Sequence, residues 1–179
     1  MAAGPLNERE SLRAASFFHW GGRREQEMST AVVHRPGVVR QFATFHVGGL
    51  YFGVDVVKVQ EVLCSQPMTN VPQAHGVVRG LINLRGQIVT AIDMRRRLGL
   101  EPRPDGEAPM NVVLRSEEGA VSLLVDSIGD VVELPAQDAD QPPPNLAPAS
   151  RELIETVFPL EGQLLLVLAC ERAVELPAV

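Results

Sequence analysis

From Arg40 onward the apolar residues fall into short runs separated by glycine, proline and acidic breaks. The runs have the length of strands rather than helices. Residues 41–47 predict a strand, Gly48-Gly49 a hairpin turn, and 50–54 the return strand. Asp55 is placed to cap a helical turn through its carboxylate. The Val-rich run 56–63 favours a strand, although a helical start is open to it. Residues 68–71 are short and extended and stop at Pro72. Residues 76–82 lead into the polar break Asn83-Leu84-Arg85-Gly86, and 87–92 predict a buried strand. In that break Gly86 can take φ > 0 and Asn83 supports a local turn. The pattern therefore holds one arginine at a hairpin tip between two well-packed strands, which suits a recognition surface better than a catalytic pocket. Asp93 caps a short helix over 94–98 that Gly99 closes.

Residues 101–109 form a Pro-rich connector. A hairpin follows over 110–115 and 120–125, turning at Ser116-Glu117-Glu118-Gly119, and then a short strand over 131–134. Pro142, Pro143, Pro144 and Pro148 make 138–150 a stiff exposed loop. A last hairpin over 153–160 and 163–168 turns at Glu161-Gly162, and 170–176 predicts a short terminal helix. This amounts to about nine or ten short strands at the spacing of barrels or sandwiches. No long helical crossover is available for a parallel doubly wound sheet. The fold class is all-β, and although no strict sequence repeat is visible, two small barrels fit the count.

Residues 1–39 show neither strand alternation nor a sustained helical stripe. They read as a disordered N-terminal extension, with Met28 as an alternative start. A partner-binding peptide built on Phe17, Phe18 and Trp20 is the sharper reading.

Composition narrows the function. The chain has 179 residues, 45% hydrophobic but only 4% aromatic, so the core is built mainly from Val, Leu and Ile. A net charge of −6 lacks the basic footprint of a nucleic-acid binder. No apolar run approaches the roughly 20 residues of a bilayer-spanning helix, and no signal-peptide core is present. Two cysteines, Cys64 and Cys170, make no disulfide framework and fit a reducing cytoplasm. Nothing places a base beside Cys64, and His19, His34, His46 and His75 lack the close spacing of metal ligands. No glycine-rich loop opens a long helix to cradle phosphate. The expectation is no catalytic residue, no metal and no cofactor. Arg95-Arg96-Arg97 reads as favourable charge near a helix C-terminus, with an acidic partner surface as the alternative.

Four segments, in order, resemble one family: Phe45-His46-Val47-Gly48-Gly49-Leu50-Tyr51-Phe52-Gly53-Val54-Asp55, then Lys58-Val59-Gln60-Glu61-Val62, then Gly80-Leu81-Ile82-Asn83-Leu84-Arg85-Gly86 with Ile92-Asp93-Met94-Arg95, then Val125-Asp126-Ser127-Ile128-Gly129-Asp130-Val131. Together they are similar to the CheW-like coupling proteins of bacterial chemotaxis, over roughly residues 40–176. The resemblance implies two five-stranded SH3-like barrels around a shared core and no catalytic activity. It implies a cytoplasmic adaptor, a monomer when free and part of a receptor array when assembled, that joins the cytoplasmic tip of chemoreceptors to a CheA-type histidine kinase. The kinase's regulatory domain would share the fold and pair through barrel ends, where exposed edge strands are available. By the same resemblance Glu61 and Arg85 are a charged pair beside the receptor groove, Val59 and Gly80 are further positions there, and Val131 is one in the later motif. The longer N-terminal extension and the Pro-rich 138–150 loop depart from the family pattern. A ligand-binding β-barrel, a free-standing kinase fragment, and a coupling module of a non-flagellar pathway are the alternative readings.

Overall fold

The computed structural model describes residues 37–117 and 119–176. The extension lies outside these residues except for its last three, and Val39 is already the first residue of β1 (Val39–Val47). Gly48 and Gly49, at φ +58° and +80°, turn the chain into β2 (Leu50–Asp55), which pairs antiparallel with β1. The Asp55 carboxylate then accepts from the Val57 amide at 3.2 Å and starts a 3-10 turn over Val56–Lys58. The strand expected from Val56 therefore begins three residues later, as β3 (Val59–Leu63), because a local cap outweighs valine's preference for extended backbone.

The middle of the chain supplies β4 (Val78–Leu84), β5 (Gln87–Asp93), the single-turn helix α1 (Met94–Arg97), β6 (Met110–Ser116) and β7 (Gly119–Val125). Asp93 caps α1 as expected, accepting from the Arg95 and Arg96 amides at 3.0 and 3.3 Å. The last third gives β8 (Ser127–Pro135), α2 (Pro148–Leu153), β9 (Ile154–Leu160), β10 (Gln163–Leu168) and α3 (Cys170–Val174). Three expectations need correction. β8 starts four residues earlier than the sequence pattern suggests, because pairing with β1 carries it through Ser127 and Ile128. The Pro-rich loop ends in helix, with Pro148 in the first turn, where a missing amide costs nothing. Gln87 and Ile88 of the "buried" strand are exposed, and only its later residues reach the core.

The ten strands form two five-stranded sheets, ordered β8-β1-β2-β10-β9 and β3-β6-β7-β5-β4. Each is closed into a barrel in the same way. A short extended stretch downstream of one edge strand forms a single bridge to the opposite edge. In the first barrel Asp140 and Val157 exchange backbone hydrogen bonds of 2.8 and 2.9 Å; in the second Thr69 and Leu81 do so at 2.8 Å each way. Each barrel also contains one parallel pair, β10 with β2 and β5 with β7. The first barrel is assembled from both ends of the described chain, and the second from its middle.

Successive residues on a strand point to opposite faces, and here both faces are buried. Phe42, Phe158, Leu165 and Val167 fill the first barrel, and Ile82, Leu84, Val89, Ala91, Val113 and Leu124 the second. The residues between them, including Phe45, Val47, Phe52, Val54, Val112, Leu114, Leu123, Val125, Leu166 and Leu168, form one larger core shared by the barrels. Such strands read as continuous apolar runs, as Val112-Val113-Leu114 and Leu164-Leu165-Leu166-Val167-Leu168 do. Four phenylalanines stand at the centres: Phe45 stacks on Phe52 at 5.9 Å between centroids, and Phe42 tilts against Phe158 at 5.3 Å.

Candidate functional site

The β4–β5 turn is a two-residue hairpin centred on Arg85 and Gly86. Both have positive φ, +54° and +90°, the signature of the turn that matches strand twist. Asn83 supports it by accepting the Gly86 amide on Oδ1 at 2.8 Å. Glycine adopts this conformation freely, whereas a residue with a Cβ gives up about 1–2 kcal/mol there. Arg85 thus occupies a backbone position that disfavours it.

Its side chain is 85% exposed and donates from Nη2 to Glu61 Oε2 at 3.1 Å, while Glu61 is 18% exposed. Glu61 lies on β3, the opposite edge of the second barrel. The ion pair therefore crosses the seam that the Thr69–Leu81 bridge closes through backbone. An ion pair this exposed contributes about 0–1 kcal/mol, too little to account for the backbone cost. What the arrangement gives chemically is a cation presented to solvent, steered by a half-buried carboxylate.

Gly80 is buried on β4, at the irregularity between Val78 and Gly80 in the pairing with β5. A Cβ built there would stand 2.6 Å from the Thr69 carbonyl oxygen. Its absence is what lets the closing stretch approach. Val59 opens β3 opposite Leu114 and packs partly buried against the shared core. Val131 is on β8 in the other barrel, opposite Ala43, and is 59% exposed. So the fold brings Glu61 and Arg85 into contact, puts Val59 on Glu61's strand and Gly80 on the strand that leads to Arg85. No hydrogen bond or ion pair among the described residues joins Val131 to that group.

The largest electrostatic node was missed by sequence reasoning. Arg95 Nε and Nη2 each reach an Asp126 oxygen at 2.8 Å, Arg103 Nη2 donates to Oδ1 at 3.0 Å, and the Gly48 amide donates to Oδ2 at 2.7 Å. Burial alone would raise the Asp126 carboxyl, but Arg95, the Gly48 amide and Arg103 outweigh it and hold the group below the usual carboxylate range. The same hydrogen bond raises Arg95. Both partners sit in the quoted motifs, Asp93-Met94-Arg95 and Val125-Asp126-Ser127, and their opposite charges were the available signal. The arginine run does three separate jobs. Arg95 pairs with Asp126, Arg96 bonds the Gly76 carbonyl at 3.0 Å, and Arg97 donates to the carbonyls of Arg172 and Glu175 at the end of α3, at 3.0 and 3.3 Å. Those contacts add to the expected favourable charge near the helix C-terminus, since all three arginines lie in the last turn of α1.

Cys64 is exposed, and Cys170 is buried with its thiol pushed up by that burial to about 11. His75 Nδ1 accepts the Val77 amide at 3.3 Å, and His46 Nδ1 lies 3.5 Å from Ser127 Oγ. Among the described residues no group of three or more His, Cys, Asp or Glu is placed to hold a metal ion, and no helix is long and apolar enough to cross a membrane.

Residues 41–177 match the family described as the CheW-like domain. The chain is 30% identical over 139 residues to "Chemotaxis protein CheW" of Rhizobium meliloti, covering 77% of this chain and 89% of that one. It is 27% identical over 114 residues to "Protein PilI" of Pseudomonas aeruginosa, covering 64% of each. Among solved structures, the scaffolding protein TtCheW from Thermoanaerobacter tengcongensis superposes with a TM-score of 0.66 at 21% identity, over 73% of this chain and 89% of that one. That last likeness concerns the fold.

Proposed function

The chain belongs to the CheW-like domain family, and from this we propose that it is a non-catalytic adaptor that couples chemoreceptors to a CheA-type histidine kinase. It works in the cytoplasm at receptor clusters. The observation that carries the receptor half is Arg85. A costly backbone position is given to an arginine whose ion pair returns little stability, and strain of this kind gathers where recognition needs a fixed side chain. Glu61 steers that arginine, Val59 extends the same strand, and Gly80 keeps the seam beneath it closed. Val131, exposed on β8, contributes from the other barrel.

The kinase half rests on edges. β3 and β8 each end a sheet, and Val62 is an exposed apolar residue on β3. Strands of that kind accept a partner of the same fold. Such an adaptor transmits a signal only if its contacts differ between the kinase-on and kinase-off states.

The test is co-purification of the full chain with a cognate histidine kinase and a receptor cytoplasmic fragment, beside Arg85→Ala. The native chain is expected to retain both partners. Arg85→Ala is expected to keep the kinase and lose the receptor by roughly tenfold, the size of one charge-assisted contact. Unchanged receptor retention would remove Arg85 from the site. The likeness to PilI favours one second reading, in which the same coupling serves a non-flagellar pathway. A deletion strain that swims normally but loses surface motility would select it.

A further inference from the structure

The connector over residues 99–109 joins α1 to β6 and has no regular structure. Its first residues are tied locally: the Gly99 and Leu100 amides donate to the Arg96 and Arg95 carbonyls at 3.2 and 2.8 Å. Leu100 packs against the shared core and lies over the β1–β2 turn, where a Cβ on Gly48 would meet its Cδ1 at 2.7 Å. Beyond Leu100 the backbone makes no hydrogen bond to either sheet among the described residues; the Glu107 amide turns back to the Pro104 carbonyl at 3.3 Å. Two arginines do the holding. Arg95 Nη1 donates to the carbonyls of Glu101 and Pro102 at 3.0 and 3.3 Å, and Arg103 reaches Asp126 from within the connector. Both guanidiniums are oriented by one carboxylate, which also takes the Gly48 amide of the exposed turn that Leu100 touches.

We infer that the connector is a strap and that Asp126 is its latch: the strap opens as a unit, with both barrels still folded, when the carboxylate loses its hold on Arg103 and Arg95. The physical basis is an imbalance in anchoring. The barrels are secured by strand ladders and a continuous apolar core. The strap beyond Leu100 is secured by side-chain contacts alone, and local openings of low free energy are drawn from segments of that kind. Opening frees residues 101–109 and uncovers the Asp126 carboxylate at the junction between β7 and β8, beside the β1–β2 turn, whose Gly48 and Gly49 are exposed already and whose Gly48 amide is held by Asp126. The inference does not depend on which partner the chain binds.

Arg103→Gln cuts one limb of the latch and leaves Arg95 on Asp126; Asp126→Asn cuts both. The first readout is cleavage of the folded chain after Glu107 by a glutamate-specific protease. The second is amide exchange at Gly48 and in β6 and β7. Arg103→Gln is expected to speed cleavage after Glu107 about tenfold, the effect of losing one hydrogen bond to a charged group. Exchange at Gly48 and in β6 and β7 should stay at the native rate in this variant. Asp126→Asn should speed cleavage further and release Gly48 by a larger factor than β6 and β7. The inference fails if Arg103→Gln leaves cleavage unchanged, or if β6 and β7 accelerate by the same factor as cleavage, since the chain then opens only by unfolding. It also fails if Gly48 keeps its protection in Asp126→Asn.

Discussion

Replacing Gly80 with alanine tests whether the second barrel depends on a close backbone approach. The new Cβ would stand 2.6 Å from the Thr69 carbonyl oxygen and 3.2 Å from its carbon. The obstacle is backbone, so no rotamer change relieves it. Either the methyl is tolerated under compression, at about 1–3 kcal/mol for an overpacked site, or the closing stretch withdraws. Withdrawal stretches the two 2.8 Å hydrogen bonds between Thr69 and Leu81, each contributing about 1 kcal/mol. Both routes centre on about 2 kcal/mol. Gly80 also holds φ +159°, where a residue with a Cβ is strained, so no gain from reduced freedom in the unfolded chain offsets this and the net loss stays at about 2 kcal/mol. For a domain of this size that lowers Tm by about 5–10 °C. Calorimetry gives the shift, and amide exchange at Thr69 and Leu81 gives its location, because those two amides should lose protection before the β6–β7 pair. A Tm within about 2 °C of the native value, with both amides still protected, would refute the reasoning. The same experiment separates two roles for Gly80. If receptor binding falls only as far as the seam opens, Gly80 acts through the barrel and not by touching a partner.

Other perturbations reach other parts of the argument. Asp126 titrates below its unfolded value, so its stabilisation is present above about pH 4 and is lost as pH falls through the folded value. Urea midpoints of the native chain should therefore drop in acid, and Asp126→Asn should flatten that drop while lowering the midpoint at neutral pH. Arg85→Gly relieves a positive-φ residue and should leave Tm unchanged or raise stability by up to about 1 kcal/mol, while receptor binding falls as in Arg85→Ala. At pH 8 a thiol reagent should modify exposed Cys64 in the native chain and reach Cys170 only in denaturant, because burial removes access to Cys170 and raises its pKa to about 11. Asn111→Ala strips partners from the Ser122 hydroxyl and the Cys64 carbonyl, bonded at 2.9 Å each. It should cost about 1–3 kcal/mol in urea unfolding.

What the sequence made legible was local. Gly48-Gly49, Asn-Leu-Arg-Gly and Glu161-Gly162 marked hairpins, Asp55 and Asp93 marked the caps, and apolar runs marked the strands, because each signal acts over a few residues. Errors arose where pairing set the outcome. Ser127 and Ile128 carry no strand alternation, and β1 pulls them into β8. Gly80 signals a close backbone approach or a bulge, and both occur, but its partner, the Thr69 carbonyl, comes from another segment that the glycine does not identify. Glu61 and Arg85 were named together through family resemblance, and no local spacing predicts a contact across 24 residues. Arg95 and Asp126 are 31 residues apart, and opposite charge, the one signal in the two motifs, does not single out this pairing.

The repeat also escaped notice, for a topological reason. In the second barrel one edge strand, β3, precedes a hairpin (β4, β5), a short helix (α1) and a second hairpin (β6, β7). The first barrel has the same parts: edge strand β8, hairpin β9 and β10, helix α3, hairpin β1 and β2. Its second hairpin, however, comes from the start of the chain, so the halves of the sequence do not align with the halves of the structure. This permutation matters for an adaptor. β2 lies parallel to β10, with Phe52 opposite Leu166, so the first barrel closes only after the chain has passed through the second. The strands of both barrels then face a common core on their other side. Rotating one barrel against the other would break that core, so Arg85 and the edge at β8 keep a fixed separation. An adaptor of the proposed kind serves its partners by holding such a distance constant. Any signal it passes must then come from which contacts its partners make, and not from bending between its barrels.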